Sequence, residues 1–313
     1  MDILRIAPLL ALWCATACTV PTPDIQDGGK TYHVYFLGGQ SNMEGYGSVA
    51  DLPDDLQEIR HDFPIFMGNM PYDHDRTGGL GLWAPLSPGF GKDFGSNGKR
   101  NRLSAYFGPE LTFAREMKRL NPDQNIALIK YARSGSSIAV GASHGGNWQP
   151  DYRGKNGLNQ YDFAIRTIRT AMAREDIDGD GLRDRLIPAG LLWMQGEGDA
   201  IAAAPADAYY LNLDHLMHHL RQTFRAPTLP LVIGKITDSN MNEGGTMMPH
   251  IERVHAAQVR LVSRDPCAVY LTETEDYAHA DDGWHYTSEG YIRLGRAFAK
   301  HLNAVPPGCR DAE

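Results

Sequence analysis

Five apolar runs of strand length, at 32–37, 126–131, 186–194, 229–236 and 268–272, alternate along this chain with helix patterns at 108–120, 161–173, 206–224, 249–262 and 288–302. Strands separated by helices of that length need crossover connections, and crossovers make parallel sheets covered on both faces. The runs are continuous rather than alternating, which agrees with burial on both sides. The expected fold is α/β: a three-layer α/β/α sandwich around a five-stranded parallel sheet. No internal repeat and no second domain boundary interrupts it, so 31–303 reads as one domain.

One stretch breaks the rhythm. Residues 44–107 are rich in Gly, Pro and Asp and hold no sustained period. Loops that long are usually functional or disordered. Tyr72, His74, Trp83 and Phe90 give this one apolar anchors. It begins just after a serine-bearing turn, and we read it as a wall over a site.

The 313 residues carry a net charge of −8, with no long run of Lys or Arg. That excludes a nucleic-acid partner, which needs a concentrated basic surface. Residues 6–17 are almost wholly apolar and follow a single Arg5. The run is too short to span a bilayer. It ends in Ala15-Thr16-Ala17-Cys18, a small-x-small cleavage pattern, so residues 1–17 read as a signal peptide. Cys18 also fits the start of a bacterial lipoprotein, although Ala15 stands where a leucine is usual. Cleavage with lipidation of Cys18 and cleavage without it both remain open. Residues 18–30 then read as a polar tether, and 304–313 as a tail. The protein is expected in the periplasm or at the cell surface, with a lipid at Cys18 its sole membrane attachment. In such an oxidising compartment Cys267, before the last strand, and Cys309, after the last helix, can pair.

Four stations carry chemistry. Gly39-Gln40-Ser41-Asn42-Met43 follows the first strand. Its glycines allow a sharp turn that lifts the Ser41 hydroxyl to the carboxyl edge of the sheet. A serine is a weak nucleophile until a base takes its proton. Asp282-Gly-Trp-His285 supplies one near the other end of the chain. A carboxylate three residues before a histidine can fold back on Nδ1 and leave Nε2 facing the serine. Asp281 competes with Asp282 for that role, and the spacing favours Asp282. In Trp193-Met194-Gln195-Gly196-Glu197-Gly198-Asp199-Ala200, the Gln195 amide can donate to a developing oxyanion, with Glu197 in a supporting role. Arg133-Ser134-Gly135-Ser136-Ser137 ends the second strand, and its small residues leave backbone N–H groups free to point inward.

Together these motifs resemble the sialate O-acetylesterase-like group of SGNH hydrolases, which includes the acetylxylan esterases of carbohydrate esterase family 6. Gly108-Pro109-Glu110-Leu111 and Ala256-Ala257-Gln258 also fit that group. The resemblance runs from about Thr31 to Leu302. It implies a compact α/β/α fold of flavodoxin-like type and hydrolysis of acetyl esters on sugars. It implies Ser41 as nucleophile, His285 as base and Asp282 as its partner. It implies an oxyanion hole from the N–H groups of Ser41 and Gly135 with the side chain of Gln195. The second block commonly reads Gly-Gly-Thr in the group and reads Ser134-Gly135-Ser136 here. The sugar is not named by the sequence. A sialate 9-O-acetylesterase and a broad short-chain esterase are alternatives, as is a surface glycan-binding protein with a vestigial triad. Trp83, Trp148 and Trp284 are candidates for stacking on sugar rings.

A separate signal is Asp176-Ile-Asp178-Gly-Asp180-Gly181-Leu-Arg-Asp184. Acids at positions one, three, five and nine, with glycine at six, match the front of an EF-hand-type calcium loop. Position twelve is Ile187 rather than Glu. Calcium here is expected to be structural, since a serine triad needs no cofactor.

Overall fold

The computed structural model describes residues 25–70, 78–154 and 158–309. The expected leader, Cys18, Tyr72 and His74 lie outside them. Seven strands form the main sheet: β1 (Gln26–Gly39), β2 (Arg60–Met67), β3 (Trp83–Leu86), β4 (Asn125–Ala132), β5 (Leu182–Met194), β6 (Leu231–Gly234) and β7 (Ala268–Leu271). Their order is β7-β6-β5-β1-β4-β2-β3, parallel throughout except for the β2–β3 pair.

The five expected strands are all present. The sheet is larger than expected because the long irregular stretch supplies β2 and β3. Phe63 to Met67 is a buried run, but Pro64 sits inside it. Pro85 lies in β3, an outermost strand of the sheet, where a missing N–H is tolerated. The first strand also starts earlier than expected. Gln26 and Asp27 pair with Leu182 and Arg183, so the end of the expected tether is already sheet.

Of the helices, α1 (Ser41–Glu44) is a single turn. The others are α2 (Glu110–Leu120), α3 (Gln160–Met172), α4 (Ala203–Phe224), α5 (Ile251–Arg264) and α6 (Ser288–Ala304). α2 packs on α6, while α4 packs on both α3 and α5, giving the two outer layers. Gly295 permits the first contact. A Cβ there would lie 2.2 Å from the Pro109 carbonyl oxygen and from Thr112 Oγ1. The Thr112 hydroxyl instead donates to the Ile292 carbonyl at 2.9 Å.

Strand centres are apolar and buried: Val34 to Leu37, Ile126 to Ile129, Leu191 to Met194 and Leu231 to Ile233. Lys130 is the exception in β4. Its fully buried Nζ donates to Glu110 Oε2 (2.6 Å), Glu44 O (2.9 Å) and Phe90 O (2.6 Å). A buried ammonium is tolerated only when paired and hydrogen-bonded in this way. It fastens the segment after Ser41 to the start of α2, which gives Glu110 of the Gly-Pro-Glu-Leu motif its role.

Cys267 and Cys309 form a disulfide with Cα atoms 5.5 Å apart, joining the entry of β7 to the end of the chain past α6.

Register brings the stations to one edge. Gly39, the last residue of β1, pairs with Ala132, the last of β4, and with Met194, the last of β5. Ser41, the 133–137 turn and Gln195 therefore leave the sheet side by side.

Candidate active site

Gly39 makes the serine turn possible. Its φ is +145°, and a Cβ there would meet the Met194 carbonyl oxygen at 2.0 Å. No other residue type fits so close a backbone approach. Gln40 N then donates to that same carbonyl at 2.9 Å. Ser41 starts α1 and is 6% exposed.

Asn42 ties this turn to the histidine turn. Its Nδ2 donates to the Trp284 carbonyl (3.1 Å) and to Glu197 Oε1 (2.9 Å). Its Oδ1 accepts from the Tyr286 amide (3.4 Å) and the Tyr291 hydroxyl (2.9 Å). The residue after the serine thus grips both neighbours of His285.

The histidine turn is built by its own acid. Asp282 Oδ1 accepts from the amides of Trp284 (2.9 Å) and His285 (3.0 Å), and Oδ2 lies 2.6 Å from His285 Nδ1. Among the described residues His285 Nε2 takes no hydrogen bond, which leaves it as the nitrogen available to a substrate or to Ser41. Asp281, the sequence competitor, is exposed and takes no part in this pairing. Burial pushes the Asp282 carboxyl up, but the bonds from His285 and the two amides outweigh it, and the net shift is downward. Burial pushes the His285 imidazolium down and prevails over Asp282, with Lys92 and His279 acting in the same downward direction. A neutral imidazole with an oriented Nδ1–H is the form a general base needs.

The long stretch after Ser41 does wall this site. The Tyr46 ring stacks on His285 with centroids 3.6 Å apart and planes at 8°. Lys92 Nζ lies over the rings of Tyr46 (4.9 Å) and Tyr106 (5.0 Å). The Tyr46 hydroxyl reaches Ser134 Oγ at 2.8 Å, and Ser134 in turn donates its N–H and hydroxyl to Glu44 Oε2. Burial raises the Glu44 carboxyl above its usual range. None of Tyr46, Lys92, Glu44 or Asn42 was assigned a role from sequence. Of these, only Asn42 and Glu44 lay in or beside a recognised motif.

Gln195 sits otherwise than expected. It is fully buried, and its Nε2 donates to Asp199 Oδ2 (2.8 Å), with Gln40 Oε1 at 3.2 Å and the Ser136 carbonyl at 3.4 Å. Its Oε1 accepts from Tyr209 at 3.0 Å. The amide faces inward and holds the framework. Asp199 completes that framework by accepting from the amides of Ile138 (2.8 Å) and Ala139 (2.9 Å), and burial raises its pKa to about 6. The Gln-Gly-Glu-x-Asp motif is a clasp: Gln195 and Asp199 hold the 136–139 loop, and Glu197 holds Asn42. Glu197 thus touches the serine turn through Asn42. Burial lifts it to about 7, and its Oε2 has no hydrogen-bond partner among the described residues.

Gly135, at φ +64°, takes the turn that presents its N–H. Among the described residues no acceptor bonds the N–H of Ser41 or Gly135. Of the three tryptophans, Trp148 is fully buried and donates to Ser136 Oγ, and Trp83 donates to the Ala171 carbonyl. Trp284 alone stands in the site.

The acidic loop lies elsewhere. Carboxylate oxygens of Asp176, Asp178 and Asp184 lie within 4.8 Å of one another, but Asp180 is not in that group. Lys30 Nζ bonds Asp178 and Asp180, and Asp176 accepts from the amides of Gly179 and Gly181.

A parallel α/β/α sheet with a serine turn and an Asp–His turn at its carboxyl edge defines an SGNH-type hydrolase fold. The chain belongs to the carbohydrate esterase, sialic acid-specific acetylesterase family, whose match spans residues 31–304. It is 24% identical over 301 residues to a probable carbohydrate esterase of Arabidopsis thaliana, covering 89% of this chain and 93% of that one. In structure it resembles an Arabidopsis thaliana protein at TM-score 0.59 and 19% identity, covering 88% of this chain and 99% of that one. It resembles a carbohydrate acetylesterase from Xanthomonas citri at TM-score 0.59 and 16% identity, covering 88% of this chain and 56% of that one. The chain is a carbohydrate esterase.

Proposed function

We propose that this esterase is exported and removes acetyl groups from glycans through Ser41, His285 and Asp282. The observation that carries the reading is the 2.6 Å pairing of Asp282 Oδ2 with His285 Nδ1, on a turn that Asn42 ties to Ser41. In this reading His285 Nε2 takes the Ser41 proton as Oγ attacks the acetyl carbonyl. The oxyanion forms against the N–H groups of Ser41 and Gly135. The sugar hydroxyl leaves with the proton from His285. Water then repeats the cycle on the acetyl-enzyme.

Export rests on the apolar leader and cleavage pattern, and the Cys267–Cys309 disulfide suits an oxidising compartment. Lipidation at Cys18 would hold the enzyme at a membrane surface. Calcium in the acidic loop would be structural, and it would have to displace the Lys30 ammonium.

The test is acetate release from a chromogenic acetate and from a panel of acetylated xylan and sialic acids. Ser41→Ala is expected to lose roughly 10⁴-fold or more in kcat with the fold intact. Asp282→Asn should lose several hundredfold or more, and Asp281→Asn less than about twofold. A Ser41→Ala variant with a tenth of the activity, or an inactive wild type, overturns the reading.

A further inference from the structure

Away from the serine turn, two histidines and an aspartate converge from different elements. His215 and His219 stand one turn apart on the same face of α4, and their rings meet edge to face at 4.5 Å between centroids. Residues four apart on a helix are neighbours on one face, the spacing used when a helix supplies two metal ligands. The third member, Asp151, comes from the loop before α3, with Oδ2 2.9 Å from His215 Nε2. Ligand atoms of all three lie within 4.8 Å of one another. His218, on the same helix, is engaged instead with Gln222 at 2.8 Å.

The geometry points to a second site that no part of the esterase reaction uses: a zinc site formed by Asp151, His215 and His219. Two imidazoles and one carboxylate with an open fourth position is a donor set that zinc accepts. Neighbouring ligands of a tetrahedral zinc sit roughly 3.3 Å apart, as follows from bond lengths near 2.0–2.1 Å. The Asp151–His215 separation is already close to that, and the His219 nitrogen, within 4.8 Å of both, has to move inward to complete the set. Zinc takes the place of the shared proton between Asp151 and His215. The His215 ring then carries its hydrogen on Nδ1 and binds through Nε2. A water fills the fourth position.

The site has a structural consequence. Asp151 belongs to the segment in which Asn147 bridges to Ser137 and to Asn159. That segment begins at the Gly135 turn and ends at α3. A zinc at Asp151 pins it to α4, the helix whose Tyr209 also braces Gln195. The metal is a clamp between the turn-bearing loop and the outer helix layer, held by residues that take no part in the proposed acyl chemistry.

The experiment uses the full chain without an affinity tag, dialysed against chelator and then against zinc, with cobalt(II) as a spectroscopic probe. The wild type is expected to retain one zinc and to give a visible cobalt spectrum of a four-coordinate nitrogen–oxygen site. His215→Ala and His219→Ala should each weaken zinc by about 100-fold and abolish the cobalt signal, Asp151→Asn should weaken it less, and His218→Ala should leave it unchanged. Melting curves in chelator keep the fold in view, since exposed or half-exposed changes on α4 should leave them near the wild type. A wild type that retains no zinc overturns the proposal and leaves a surface ion pair only. Unchanged binding in a His215→Ala/His219→Ala double variant also overturns it and places the metal elsewhere.

Discussion

The Tyr46 ring lies flat against the His285 imidazole, with centroids 3.6 Å apart and planes nearly parallel. Its hydroxyl is tethered through Ser134 to the buried Glu44. The imidazole is therefore fixed on two sides, by Asp282 at its edge and by a tethered aromatic plane on its face. Small losses of orientation at a reacting group carry large rate penalties.

Removing the plane should cost more than removing the tether. Tyr46→Ala is expected to lower kcat by about tenfold or more, and Tyr46→Phe by less than about threefold, because phenylalanine keeps the stack. Steady-state kinetics with melting curves on both variants checks this. Equal losses would assign the effect to the Ser134 bond instead.

Lys92 predicts a pH effect of definite sign. Its ammonium disfavours the imidazolium of His285, whose pKa already lies below the ordinary histidine value through burial. Lys92→Met removes that positive charge, so the His285 pKa should rise. More of the base is then protonated at mildly acidic pH. The acid limb of kcat/KM should move to higher pH, with the plateau above it little changed. A limb that stays put or moves to lower pH contradicts the assignment.

Gln195→Ala distinguishes framework from oxyanion donor. Asp199 and Gln40 keep backbone donors from Ile138, Ala139, Gly196 and Gly198, but losing the buried Gln195 bond to the Asp199 carboxylate should still destabilise the fold by ~1.5–3 kcal/mol. The expected signature is a clear drop in melting temperature. An unchanged melting temperature with kcat down by ~10²–10³ would restore the direct donor role.

For the acidic loop, calcium is expected to raise the melting temperature without being needed for turnover. A ligand present at 100 times its dissociation constant stabilises by about 2.7 kcal/mol. Asp178→Ala should abolish the shift. Identical midpoints with chelator and with calcium would leave the loop as a plain acidic turn paired with Lys30.

Much of the sheet was legible because strands covered on both faces are apolar at nearly every position, as 126–129 and 191–194 are. β2 and β3 were not legible. Pro64 and Pro85 argue against strands unless their position in the sheet is known, and position in a sheet is not a local property. The Asp282–His285 pairing was readable because three residues of one turn decide it. The inward orientation of Gln195 was not, since it depends on Gln40, Ser136, Asp199 and Tyr209 from four separate places. Tyr46 left no signal at all. A single tyrosine in a long irregular stretch looks the same whether it meets solvent or a histidine.

The bond from the Tyr286 amide to Asn42 spans 244 residues. The strand that leads into Ser41 comes first among the described strands and lies at the middle of the sheet, while the turn that carries His285 comes just before α6. A growing chain therefore carries Ser41 long before the proposed base, His285, has been made. In the proposed mechanism turnover becomes a report that both turns have formed and met, and a chain cut short of His285 is expected to be silent rather than partly active.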